Sequence, residues 1–182
     1  MSGVLIVGIW GMPGVGKTTI ARAIFDTLSY QFEAVCFLAD IKENKCGLHF
    51  LQNILLSELL KEKVNYVNNK EDGRSLLARR LRFKKVLVVL DDIDQLDYLA
   101  GILGWFGNGS RIIATTRDKH LIGKNVVYEM TTLNEHDTIQ LFEQYAFKEE
   151  VSDECFKELT LEVVSRAKGL PLALKVFGSF FS

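Results

Sequence analysis

The stretch Gly11-Met-Pro-Gly-Val-Gly16-Lys17-Thr18 matches G-x-x-x-x-G-K-[ST] at every position, and it restricts the fold more than any other feature. The pattern is informative when a buried strand precedes it and a helix follows. Val4 to Trp10 is continuous, apolar and rich in β-formers, which predicts a buried strand. From Lys17 to Leu28, Ile20, Ile24 and Leu28 recur at spacing four and predict a helix. Each residue type then has a physical reason. The glycines permit backbone conformations in which N–H groups converge on phosphate oxygens. The helix beginning at Lys17 adds the positive end of its dipole. Lys17 reaches terminal phosphates, and the Thr18 hydroxyl is a ligand for Mg²⁺.

Strand and helix patterns alternate from there. Ala34–Ala39, Lys85–Leu90, Arg111–Thr115 and Val126–Met130 read as further strands. Helices are expected through Leu48, Leu51, Leu55 and Leu59, over Ser75–Phe83 and over Leu96–Leu103. Asn65–Gly73 reads as a polar loop, and Gly104, Gly107 and Gly109 open another. After residue 131 only helices follow. Asn134 and Ser152 are suitable N-caps, Gly169 is a stop, and Pro171 suits a first helical position. The expectation is an α/β domain with a parallel sheet over 1–131 and a small helical subdomain over 132–182.

Two more strand ends carry chemistry. Lys85-Val-Leu-Val-Val-Leu90 runs into Asp91 and Asp92. In a parallel sheet the carboxyl ends of strands border the ligand crevice, so Asp91 is placed to support a phosphate-bound Mg²⁺. Asp92 is placed to orient water, though Asp92-Ile93-Asp94 equally suits a turn. Arg111-Ile-Ile-Ala-Thr115-Thr116-Arg117 ends in two hydroxyls and a guanidinium, which puts Arg117 where it can sense a γ-phosphate, the alternative being a surface arginine in the loop Arg117-Asp118-Lys119-His120. Asp92 and Arg117 are the candidate catalytic groups, and Thr18 and Asp91 the candidate metal groups.

Composition removes several alternatives. Lys plus Arg is 22 against 23 for Asp plus Glu, which opposes a broadly basic nucleic-acid surface. The apolar runs are too short to span a bilayer. Three widely spaced cysteines, Cys36, Cys46 and Cys155, form no zinc pattern and read as free thiols of a reducing compartment. Asn69-Lys70-Glu71-Asp72 imitates a guanine-reading motif but is fed by no buried strand, so it reads as a solvated loop. Arg79, Arg80, Arg82, Lys84 and Lys85 read as a solvated helix end. His49, His120 and His136 lie too far apart in sequence to suggest a catalytic arrangement.

Taken together the motifs resemble a known family. Gly8-Ile-Trp-Gly-Met-Pro-Gly-Val-Gly-Lys-Thr-Thr19 resembles the nucleotide-binding (NB-ARC) domain of plant disease-resistance receptors. Phe37-Leu-Ala-Asp-Ile-Lys-Glu43 and Leu87-Val-Val-Leu-Asp-Asp-Ile-Asp94 are similar to the TIR-type branch. Gly109-Ser-Arg-Ile-Ile-Ala-Thr-Thr-Arg117 and Gly169-Leu-Pro-Leu-Ala-Leu174 complete the set. The resemblance implies a P-loop NTPase of the STAND/AAA-like kind, with the acidic and sensor strands lying together beside the loop strand, followed by an ARC1-like helical subdomain. It implies ADP or ATP with Mg²⁺ as ligands, held by Gly11, Gly14, Val15, Gly16, Lys17, Thr18 and Thr19, with Pro171 near the nucleotide. It also implies a switch in which ADP keeps a TIR–nucleotide-binding–leucine-rich-repeat receptor closed and ATP accompanies activation.

Further expectations follow from that likeness. The partners are the TIR and leucine-rich-repeat domains of the same receptor, with self-association on activation, and neither nucleic acid nor membrane. The compartment is the cytoplasm, with the nucleus as a second one. Hydrolysis is at most slow, since no arginine finger is assigned. The rivals are an oligomeric ATPase of the motor or remodelling kind and a scaffold without nucleotide chemistry. Glu135-His136-Asp137 looks like the family's M-H-D motif but precedes Gly169, and is read as coincidence. Pro13 stands where glycine is common. The chain reads as a fragment whose apolar end, Val176, Phe177, Phe180 and Phe181, predicts poor solubility in isolation.

Overall fold

The computed structural model describes residues 3–42, 47–61, 70–95, 98–99, 105–146 and 154–181. Its strands are β1 (Leu5–Trp10), β2 (Ala34–Leu38), β3 (Val86–Ile93), β4 (Arg111–Thr116) and β5 (Val126–Glu129). Its helices are α1 (Lys17–Leu28), α2 (Gly47–Leu60), α3 (Lys70–Leu81), α4 (Glu135–Ala146), α5 (Glu154–Ala167) and α6 (Pro171–Gly178). The strands form one five-stranded sheet in the order β2-β3-β4-β1-β5. Every pairing is parallel. The acidic strand β3 and the sensor strand β4 are therefore neighbours, and β4 lies beside the loop strand β1, as the resemblance implied.

Two compact units divide the chain: Met1–Trp10 with Lys17–Glu129, and Gly11–Gly16 with Met130–Ser182. In the α/β unit the sheet is covered on both faces. Val86, Val88 and Leu90 of β3 share one buried cluster with Ile112 and Ala114 of β4, Leu55 and Leu56 of α2, and Leu77 and Leu81 of α3. Leu87, Val89 and Ile113 alternate with them and are buried on the other face. Double burial explains why these strands read as unbroken apolar runs. β5 is a short edge strand and mostly exposed, which limits unwanted pairing.

Where the chain departs from the sequence expectation, packing is the reason. Lys70, Glu71 and Asp72 belong to α3 rather than to a solvated loop. Leu77 and Leu81 are fully buried beside α2, and this anchoring carries the helix past Gly73 despite the residue's poor propensity. Asn69 lies outside the described residues, as do Ser152 and all but 98–99 of the helix expected over 96–103. Strand β3 runs on through Asp91 and Asp92 to Ile93, so the acidic pair sits inside a strand and not in a turn.

The helical unit is built around Phe142 and Ala146 of α4, Val163, Val164 and Ala167 of α5, and Leu174 of α6. Asn134 starts α4 as expected. Its side-chain oxygen accepts the Asp137 N–H at 2.9 Å, and its amide donates to the Asp137 carboxylate at 2.8 Å. Pro171 occupies the first turn of α6, where its missing N–H costs nothing.

Candidate functional site

In the α/β unit the predicted side chains meet at the carboxyl ends of β3 and β4. Thr18, in the first turn of α1, donates its hydroxyl to both Asp91 carboxylate oxygens at 3.0 Å each. These residues are 73 positions apart in the chain. Thr115 of β4 donates to Asp91 Oδ1 at 2.6 Å. Its oxygen also accepts the Asp92 N–H at 2.8 Å. Asp91 is 1% exposed. Such donors replace the water that a buried carboxylate gives up, since a buried polar group without partners is costly.

Asp92 and Arg117 form a separate pair. The guanidinium donates through Nε to Oδ1 at 3.2 Å and through Nη2 to Oδ2 at 3.0 Å. This is the two-pronged geometry that planar guanidinium suits best. The Arg117 side chain is about half exposed, so the pair adds little to stability. Its consequence is electrostatic: each group neutralises the other.

Lys17 is buried beside this cluster. Burial lowers its pKa from the ordinary lysine value, and the nearby Arg117 charge lowers it further. Asp92 and Asp91 act in the opposite direction. A lysine under this balance gains from an arriving anion, since a phosphate restores the compensation that desolvation removes. Thr19 is exposed in the same turn of α1.

The glycine-rich loop is described with the helical unit. Gly11, Gly14 and Gly16 all have positive φ, at 159°, 78° and 101°. Gly14 accepts the Leu172 N–H through its carbonyl oxygen at 3.1 Å. A Cβ on Gly14 would lie 2.9 Å from the Leu172 Cβ, and one on Gly11 would lie 2.8 Å from the Met130 carbonyl oxygen. Only glycine fits at these approaches. Val15 is buried. Pro171 immediately precedes Leu172, so the helix start expected to carry Pro171 is tied directly to the loop. No sequence signal indicates the Leu172 contact, because it uses only backbone atoms. Thr115 was visible as one of two hydroxyls at a strand end, but the sequence did not distinguish it from Thr116.

The donor set can be tested against Mg²⁺. That ion takes hard oxygen ligands and commonly uses one or two carboxylates together with phosphate oxygens and water. The Thr18 hydroxyl and the Asp91 carboxylate are such oxygens, and they already lie within hydrogen-bond reach of each other. The residues fit the ion as partners of a bound phosphate. Among the described residues no cluster of three or more His, Cys, Asp or Glu side chains is arranged to hold a metal without one.

Comparison with known proteins points the same way. Residues 1–152 match the NB-ARC domain family. The chain is 67% identical to TMV resistance protein N of Nicotiana glutinosa, over 98% of its own length and 16% of that protein's. It is 43% identical to disease resistance protein RPV1 of Vitis rotundifolia, over 98% of its length and 13% of the relative's. It thus spans only a small part of these relatives. Among solved structures it is similar to an ORC2 protein of Aeropyrum pernix (TM-score 0.61, 14% identity, 96% of this chain and 54% of that one). It is also similar to a Signal Transduction ATPase with Numerous Domains from Pyrococcus horikoshii (TM-score 0.51, 22% identity, 93% and 26%). At these identities the likeness concerns the fold, which is that of P-loop ATPases. No helix among the described residues is long and apolar enough to cross a membrane.

Proposed function

The chain belongs to the NB-ARC family, and on that premise we propose that it is the adenine-nucleotide switch of a plant immune receptor of the TIR–nucleotide-binding–leucine-rich-repeat type. ADP marks the resting state and ATP the active one. The observation that carries this reading is the cluster in which Thr18, Asp91 and Thr115 are joined by hydrogen bonds of 2.6 to 3.0 Å. It brings together oxygen donors of the kind a phosphate-bound Mg²⁺ uses, beside Lys17, whose pKa burial lowers.

Within this reading each residue has a task. The loop N–H groups of Gly11, Gly14, Val15 and Gly16, with Thr19 at the helix start, cradle phosphate oxygens. Lys17 neutralises the terminal phosphates. Thr18, through its hydroxyl, and Asp91, through its carboxylate, would hold Mg²⁺ at this site. When bound, the ion contributes charge that offsets the phosphates. Arg117 meets the γ-phosphate when ATP is present, and Asp92 orients water. Pro171 faces the nucleotide from the helix that Leu172 ties to Gly14.

The Asp92–Arg117 pair supports slow turnover. While the guanidinium is engaged, both Asp92 carboxylate oxygens are occupied and Arg117 is not available to a phosphate. Slow hydrolysis suits a switch, whose states must persist, better than a motor. The partners on this reading are the TIR and repeat domains of the same receptor, with self-association in the active state. The compartment is the cytoplasm, with the nucleus as a second site.

The test is to denature the protein as purified and resolve the released nucleotide by chromatography, with Lys17→Ala as control. Retained ADP that disappears in the variant is the expected result. Absence of bound nucleotide, together with no measurable affinity for ADP or ATP, would overturn the reading in favour of a scaffold. Steady ATP turnover of about 1 s⁻¹ or faster would favour a motor-type ATPase instead.

A further inference from the structure

In a regular strand, successive side chains leave opposite faces of the sheet. Asp91 and Asp92 are successive, yet Asp91 meets Thr115 while Asp92 meets Arg117. Both partners come from the end of β4, Thr115 within it and Arg117 just beyond, so two successive carboxylates take their partners from one segment. A local irregularity accounts for this. Pairing between β3 and β4 is regular up to Leu90 with Ala114, and resumes at Ile93 with Thr116 after a register shift. Asp92, inside the shift, has φ of 52°, a left-handed conformation that non-glycine residues adopt at a cost. Bulges of this kind re-aim side chains beside functional sites.

We propose that Thr115 is a positioning residue that holds both carboxylates in place, by orienting Asp91 for the metal and bracing the bulge at Asp92. The inference rests on the nucleotide and Mg²⁺ reading above. A threonine hydroxyl has one donor and two acceptor sites. Here the donor goes to Asp91 Oδ1 at 2.6 Å, and an acceptor site takes the Asp92 N–H at 2.8 Å, an amide inside the disrupted ladder. Thr115 is 1% exposed, so water cannot readily replace it. Thr18 also donates to the same carboxylate. When the Thr18 oxygen turns a lone pair to a cation, Thr115 keeps Asp91 in position. Thr116 offers an internal contrast. It is as deeply buried, but its hydroxyl donates to the Ile93 carbonyl oxygen and accepts the Asp118 N–H, and touches neither carboxylate.

The experiment compares ADP affinity with Mg²⁺ and with EDTA, by titration calorimetry on the whole chain. Variants are Thr115→Val, Thr115→Ser and Thr116→Val. Thr115→Val is expected to lose about tenfold or more of the gain that Mg²⁺ confers, the scale typical of removing an outer-shell partner. Its affinity in EDTA should stay within about threefold of the unmodified protein's. Thr115→Ser should restore the Mg²⁺ gain, and Thr116→Val should keep it even if it lowers the melting temperature. Should Thr115→Val fail to fold, Thr115→Cys, with only a weak donor, takes its place and the same loss is expected. Full retention of the Mg²⁺ gain in Thr115→Val, or in its cysteine replacement, would overturn the inference while leaving the nucleotide switch intact. An unmodified protein with no Mg²⁺ gain at all would instead overturn the metal reading, and this inference with it.

Discussion

The ends of β3 and β4 and the glycine-rich loop are ordered by opposite means. At the strand ends, side chains hold one another: Thr18 and Thr115 donate to Asp91, and Arg117 to Asp92. In the loop and the helical unit described with it, backbone meets backbone or passes within reach of a side chain, and what matters is an absent Cβ. Gly14 bonds to Leu172, and Leu133 donates to the Gly169 carbonyl oxygen at 2.9 Å. A Cβ on Gly169 would lie 2.3 Å from the Leu133 carbonyl oxygen. The first region is specified by functional groups and the second by room. Damage to the first should therefore appear in ligand binding, and damage to the second in stability.

The largest expected effect tests the second half of that contrast. Gly169→Ala combines φ of 71° with a clash against backbone that cannot move aside. It should destabilise the protein by about 3 kcal/mol in urea unfolding, adding the left-handed cost to overpacking. Gly123→Ala is the matched control. It too has positive φ, at 61°, but a Cβ there meets nothing within 4 Å. Its cost should be about 1 kcal/mol, the conformational part alone. Equal losses at the two sites would mean that room is not what Gly169 supplies.

Next in size, Lys17→Ala should weaken ADP by roughly 10–100-fold, the value of a charge-assisted contact, in a calorimetric titration. The same variant should not lower the melting temperature of the nucleotide-free protein. The sign follows from the lowered pKa. Folding disfavours the charged form, so the charged lysine opposes stability below its folded pKa, and the cost is relieved as pH rises through that value. A loss of stability without a loss of affinity would break the comparison.

The interior of the α/β unit has its own pH signature. Burial, reinforced by Glu58, pushes the Cys36 thiol up to about 12 from 9.0. The unfolded chain then ionises first. The stabilising contribution is complete below pH 9 and lost as pH rises toward 12, at up to about 1.4 kcal/mol per pH unit. The slope of unfolding free energy between pH 9 and 10.5 should be steeper for the native protein than for Cys36→Ala. The smallest effect belongs to Asp92→Asn. It frees a half-exposed Arg117 and should cost under about 1 kcal/mol of stability. Should Asp92 restrain Arg117 as proposed, ATP affinity should rise relative to ADP in that variant.

Much of this was legible from the sequence, for a stated reason in each case. The loop motif, the apolar strand ahead of it and the helix behind it are local patterns, and local patterns survive in one dimension. Asp91, Asp92 and Arg117 could be placed because strand ends in a parallel sheet share one edge. Asn134 was recognisable as a cap because its partner, Asp137, is three residues away. Propensity failed at Lys70–Asp72, where burial of Leu77 and Leu81 against α2 carries the helix into a polar segment. Only the tertiary structure chose between Thr115 and Thr116, since the choice depends on a register shift between two strands. Only it joined Leu172 to Gly14, a bond between backbone groups that every residue but proline could make. Residue identity fixes chemistry and local periodicity, whereas register and backbone approach are settled when the chain packs.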